Sequence, residues 1–301
     1  MAYYFHQHSP LKSTIYFTLL PLILVLFSVT NQFAFAKSDS ILIYIRDDVY
    51  IDYQDFVGDR NIMNIDCFSG KRIRRDVVDM IIAQQALILG GFKHKFNYAT
   101  GKVNFRNTKL LQTGELLLSF DSYWLSDAKA LQDKIYISEA VIRNGEYIAG
   151  VYTSLKNHKT LAVKTLEDLK HLTAVSTPLW KTDWKTIQSL GLKSVIREDS
   201  WLSMARMVNL QWIDFLLMPF NSTPDRSFSM DRIELTPVKN IAVLLKDSRH
   251  FVISKQHAKG KQAFIAINKG LNILRARGAI KKAYVEAGFI IEDNALTIIN
   301  P

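Results

Sequence analysis

Arg46-Asp47-Asp48 closes an apolar run, Ile41-Leu42-Ile43-Tyr44-Ile45, and is the first cluster in the chain able to do chemistry. A guanidinium offers a rigid fork for a carboxylate or phosphate. Two neighbouring carboxyls suit general acid–base work, and a solvated loop would carry the same residues. Tryptophan placement is the second clue. Of five Trp, Trp124, Trp180, Trp184 and Trp201 fall in or beside expected strand-end loops, and only Trp212 does not. Four such rings favour an aromatic-lined cleft that stacks on a flat or ring-shaped ligand.

Other chemistry is missing. The chain has no G-x-S-x-G, H-E-x-x-H, G-x-x-x-x-G-K-[ST] or G-x-G-x-x-G pattern. His94, His158, His171, His250 and His257 show no i, i+4 ligand spacing, so they read as surface residues and no metal or cofactor is expected. Lys71-Arg72-Ile73-Arg74-Arg75 reads as the solvated face at a helix start, with phosphate or nucleic-acid binding the sharper alternative. The single Cys67 excludes a disulfide framework and reads as a buried small hydrophobe.

The elements that must position these groups follow from length and pattern. The chain has 301 residues, 48% of them apolar and 22% charged, with a formal charge of +10. That is a globular composition, compatible with acidic partners without requiring them. The first 36 residues contain one basic and no acidic residue, an apolar stretch from Ile15 to Val29, and Ala34-Phe35-Ala36. This is the order of a secretory signal peptide cleaved after Ala36. With no later apolar run of spanning length, residues 37–301 read as a soluble periplasmic product.

Strand-like runs at 41–45, 95–98, 116–120, 172–175, 194–196, 215–218, 241–245 and 250–253 alternate with helical patterns at 71–89, 107–112, 166–169, 184–190, 203–210, 262–277 and 280–287. Strands at 134–137 and 139–142 lead to Asn144-Gly145, a hairpin turn from which 147–151 pairs back. Two alternating series imply an α/β protein of two lobes with mostly parallel sheets, lobe 1 over 37–141 and 242–301, lobe 2 over 142–241. Such sheets bind ligands at the carboxyl ends of their strands, here the loops at 46–48, 121–124, 176–184 and 198–201.

Several segments resemble the family 3 periplasmic solute-binding proteins of polar amino acid uptake. Leu110-Leu111-Gln112-Thr113-Gly114-Glu115 after Arg106 is similar to the family's helix and "L-x-x-G-x-x-D" segment. Lys134-Ile135-Tyr136-Ile137-Ser138 resembles the strand that leaves lobe 1, and Leu166-Glu167-Asp168-Leu169-Lys170 the entry to lobe 2. Leu210-Gln211-Trp212-Ile213-Asp214 is similar to the second such segment. The stretch Phe251 to Tyr284, with Ile267-Asn268-Lys269-Gly270-Leu271, is similar to the family's closing segment. The resemblance implies a periplasmic binding protein-like II fold: two lobes closing on a small solute, without catalysis, as a monomer serving an inner-membrane ABC permease or a sensor domain, and no nucleic acid. The expected contacts are Arg46, Asp47, Arg106, Tyr123 and Trp124 from lobe 1, and Ser176, Trp180, Trp184 and Trp201 from lobe 2. Leu131, Thr177-Pro178 and Pro219 stand where the family's amino-acid contacts would be. The rivals are a lyase or dehydratase using Asp47 or Asp48, and a sensory or assembly module that needs no ligand.

Overall fold

The computed structural model describes residues 40–101 and 104–300; the expected leader and its cleavage point lie outside them. The first elements are β1 (Ile41–Ile45), α1 (Asp47–Val57), α2 (Arg75–Leu89), β2 (Phe96–Thr100), α3 (Asn104–Thr113), β3 (Tyr123–Trp124), α4 (Leu125–Lys129) and β4 (Ile135–Ile142). Next come β5 (Ile148–Ser154), α5 (His158–Leu161), α6 (Leu166–Lys170), β6 (Thr173–Ser176), α7 (Lys181–Ser189), β7 (Ser194–Arg197), α8 (Trp201–Asn209), β8 (Leu216–Pro219), β9 (Phe228–Met230) and β10 (Ile233–Pro237). The chain closes with β11 (Ile241–Leu244), β12 (Arg249–Ser254), α9 (Gly260–Ala276), α10 (Ala279–Glu286) and β13 (Thr297–Ile298).

These elements form two lobes. One holds the parallel pair β1–β2 and the antiparallel sheet β3–β12–β4, joined by α2 and α9. Its core is α2, which is apolar and buried on nearly every face: Val77, Val78, Met80, Ile81, Ile82, Ala83, Ala86 and Leu87 are wholly enclosed. Helix α9 crosses it at backbone contact. A Cβ on Gly270 would stand 1.8 Å from the Ala86 carbonyl oxygen, and one on Gly90 would stand 1.9 Å from that of Ala266. Gly90 therefore serves close approach as well as helix termination.

The other lobe is built on β5, which pairs with β8 along one edge and with β11 and β10 along the other, all antiparallel. β9 extends β10, and β13 runs parallel to β11. The parallel pair β6–β7 joins through a bridge from Ala174 to Phe215. The pairing is thus more antiparallel than the alternating pattern suggests. Helix α6 opens with a capping box between Thr165 and Asp168, and α8 is capped by the Ser200 side chain, which accepts from the Ser203 amide.

The hairpin expected at Asn144-Gly145 does not form. β4 pairs with β12, whereas β5 lies in the other lobe's sheet, so the turn carries the chain between lobes. The return runs from β11 to β12; Val243 and Leu244, just past the expected start of lobe 1 at 242, still pair with β5. The loop expected at 46–48 is the first turn of α1, where Asp47 and Asp48 suit the positive end of the helix dipole. Cys67 is exposed, in a stretch without regular structure, rather than buried. His250 is buried rather than superficial, held by Ser248 Oγ at 2.8 Å and the Ser138 carbonyl at 2.7 Å.

Candidate functional site

A cavity of about 840 Å³ separates the lobes. β1, the start of α2, β3 and β12 supply Arg46, Arg74, Arg75, Asp76, Asp121, Ser122, Trp124 and Arg249. Across from them, the turn into α7, the start of α8, the end of β8 and β9 supply Trp180, Asp183, Trp201, Phe220 and Phe228.

The floor is an ion network rooted in α2. Arg75 donates to Asp79 at 2.5 Å and Asp121 at 2.9 Å, and also pairs with Asp76. Asp79 has no solvent exposure. It accepts from the Ser122 amide at 3.0 Å and the Ser122 hydroxyl at 2.7 Å, and from the Tyr284 hydroxyl. Burial still holds the Asp79 carboxyl above its ordinary value, against the pull of Arg75 and Arg249. Burial likewise pushes the Tyr284 hydroxyl up, and the Asp79 charge adds to the rise.

Arg249 projects from β12. It donates from Nε to Ser122 Oγ at 2.9 Å and from Nη2 to the Ser122 carbonyl. Its guanidinium lies 4.6 Å over the Trp124 ring, with Asp121 at 3.8 Å. Arg46 reaches Asp76 at 3.0 Å and Asp48 at 3.2 Å; Arg74 reaches Asp48 at 2.7 Å and Asp52 at 3.1 Å. The basic run at 71–75 is therefore divided: Arg72 and Arg74 clamp the acidic face of α1, and Arg75 turns inward.

The oxygens of Asp76, Asp79 and Asp121 lie within 4.8 Å of one another, a spacing that suits a cation. Arg75 bonds all three and supplies that positive charge itself.

Asp183 differs from the other carboxylates. It sits in the first turn of α7 and makes no ion pair within 4 Å among the described residues. Burial raises its pKa to about 6, although Arg249 and Arg75 pull the other way. The cavity's rings brace one another: Trp201 meets Phe228 edge-on at 5.1 Å and 81°, and Trp124 meets Tyr147 in a tilted contact at 5.7 Å.

Of the residues proposed from sequence, Arg46, Tyr123, Trp124, Trp180 and Trp201 line the cavity. Four are not among its lining residues. Asp47 points outward from the first turn of α1, and its neighbour Asp48 takes the cavity side. Arg106 stacks 5.0 Å over Tyr44, away from the cleft. Ser176 is buried at the end of β6. Trp184 follows Asp183 on α7, and the 100° step per residue turns it off the cavity. Sequence reasoning passed over Asp76, Asp121, Asp183 and Arg249. Asp121 and Asp183 fall in strand-end loops already singled out, so position alone could have found them.

No protein-family model matches the chain, and no curated protein sequence matches it. Solved structures do. The periplasmic VFT2 domain of Bordetella pertussis BvgS is 10% identical with a TM-score of 0.56, covering 84% of this chain and 94% of that one. The probable amino-acid ABC transporter extracellular-binding protein ytmK of Bacillus subtilis is 14% identical at TM-score 0.54, covering 74% and 92%. Substrate binding domain 2 of Lactococcus lactis GlnP, in its open conformation, is 15% identical at 0.51, covering 85% and 97%. The chain therefore has the two-lobe fold of these solute-binding domains.

Proposed function

We propose that this chain is an exported solute-binding protein that captures a small zwitterionic or cationic solute with a ring or apolar body between its lobes. The observation that carries the reading is the opposition of Arg249 and Asp183 in one ring-lined cavity. Arg46, Arg74 and Arg75 are already bound to carboxylates. Arg249 has its nearest carboxylate at 3.8 Å, and Asp183 has no partner cation within 4 Å among the described residues. A carboxylate on Arg249 and an amine on Asp183 would complete both, while Trp180, Trp201, Phe220 and Phe228 cover the apolar body.

Binding would favour the closed arrangement of the lobes, to be read by an inner-membrane permease or a sensor domain. Likeness to the periplasmic BvgS domain and to extracellular-binding proteins supports export and capture without catalysis. No helix among the described residues is long and apolar enough to cross a membrane.

A second reading has one observation in its favour. A carboxyl titrating at about 6 beside a ligand is what a general acid in a lyase or dehydratase requires, and Asp183 is that group.

The test is a thermal melt against amino acids, aromatic amines, sugars and organic acids. A ligand held by the folded state alone, at 100 times its Kd, adds about 2.7 kcal/mol. Hits confined to amine-bearing solutes are expected, recovered unchanged after incubation. A flat panel with a cooperative melt, or hits confined to anions, would overturn the binding reading. Conversion of the bound solute would establish the catalytic one.

A further inference from the structure

A second cavity, of about 610 Å³, lies on the other side of α4 and α7. Adjacent residues on these helices face the two spaces in turn. Ser126 lines the second cavity and Asp127 the central one; Thr182 lines the second and Asp183 the central one. Lys181 pairs with Asp127 at 2.7 Å and ties the helices together.

The second cavity is basic. Lys129, Lys185 and Lys246 line it with a single acid, Asp247. That acid is committed: it accepts from the Ser248 amide at 2.8 Å, and from the Ser126 amide and the Thr182 hydroxyl at 3.3 Å each. Lys129 and Lys185 make no ion pair or side-chain hydrogen bond among the described residues. Hydroxyls from Thr186 and Ser189 stand beside them. With the carboxylate beside them engaged, Lys129 and Lys185 leave a positive field and free donors in this recess.

We propose that this recess is a second binding site, for a small polyanion such as an oligophosphate or a polycarboxylate. Its occupant would sit between Lys129 of one lobe and Lys185 of the other, and so bear on the spacing of α4 and α7. The site is independent of what the central cavity binds.

The test is calorimetric titration of protein made from the full chain, at 0.05 and 0.15 M salt, with tripolyphosphate in one arm and citrate in the other. Wild-type protein should bind at least one of them at both salt concentrations. The double variant Lys129→Gln, Lys185→Gln should bind at least about tenfold more weakly, as loss of two charge-assisted contacts implies. Both lysines are exposed, and an unchanged melting temperature without ligand verifies folding. A control pair at exposed positions outside the recess, Lys193→Gln and Lys261→Gln, should bind like wild type. Tripolyphosphate alone binding would assign a phosphate ligand, and citrate alone a carboxylate. No binding in either arm, or equal weakening by the control pair, would overturn the site.

Discussion

Arg75 reaches Asp79, one turn along α2, at 2.5 Å inside the lobe rather than on its surface. On an exposed helix such a pair is worth a few tenths of a kcal/mol. Here Asp79 is wholly enclosed, and Ser122 and Tyr284 complete its hydrogen bonding. Removing one partner leaves a buried charge uncompensated, at a cost of about 3–5 kcal/mol. Arg75→Met should show that loss at pH 7.5. Burial already raises the Asp79 pKa, and loss of Arg75 would raise it further. A carboxyl whose folded pKa exceeds its unfolded one costs stability progressively as pH rises from the unfolded pKa to the folded one, and costs none below the unfolded value. The deficit relative to wild type, from urea midpoints, should therefore shrink at pH 5. An equal deficit at both pH values would refute this account.

Gly270 and Ala86 predict a different failure. A methyl on Gly270 would meet the Ala86 carbonyl oxygen at 1.8 Å, so α2 and α9 must separate. The helix-propensity gain of Ala over Gly, about 1 kcal/mol, opposes that cost. Overpacking against backbone costs about 1–3 kcal/mol or more, because no flexible side chain can yield. Gly270→Ala should be net destabilising by about 1–2 kcal/mol in chemical denaturation. A stabilised variant would mean that the helices part freely.

These cases also mark what could be read in advance. β1, α2 and α9 were legible because their apolar spacing is dense and regular. The partner of β5 was not: Asn144-Gly145 reports a local turn, and whether the following strand pairs back depends on β12, a hundred residues away. β9 and β10 were missed because Ile233-Glu234-Leu235 alternates too briefly in a polar stretch. In the site, Trp124, Trp180 and Trp201 stood out because large rings in loops are uncommon. Arg75 and Asp79 did not, since a charged residue on a helix ordinarily faces water and only the packed lobe shows that these are enclosed. Trp184 misled because proximity in sequence to the cavity says nothing of helical phase.

Asp183 should govern the pH response of the unliganded protein. Its pKa is about 6 when folded, against an ordinary value of 3.8. The folded state then holds a proton that the unfolded chain has released, so stability falls as pH rises from about 4 to 6. The full shift corresponds to at most about 3 kcal/mol. Asp183→Asn should remove that component of the slope and be more stable than wild type at pH 7. The same geometry predicts a proton released when an amine-bearing solute binds at pH 6, because the new positive charge favours the carboxylate. Titrations in two buffers of different ionisation enthalpy would detect it. Identical apparent enthalpies would exclude Asp183 as the amine contact.

Trp180 and Trp124 both line the cavity, yet their substitution should act on different quantities. Trp124 is 8% exposed and carries Arg249 on its face and Tyr147 at its side. Trp124→Ala should cost about 3–5 kcal/mol of stability, as for other buried rings. Trp180 is half-buried where the chain enters α7, next to Leu179, which is 68% exposed. Its ring has much less packing to lose, and a solute would supply the missing contacts. Trp180→Ala should lower stability by no more than about 1–2 kcal/mol. It should weaken the most stabilising solute of the thermal panel by about tenfold or more, as the loss of a stacking face in a desolvated site implies. Unchanged affinity in that variant would take Trp180 out of the site and leave the apolar body of the solute to Trp201, Phe220 and Phe228.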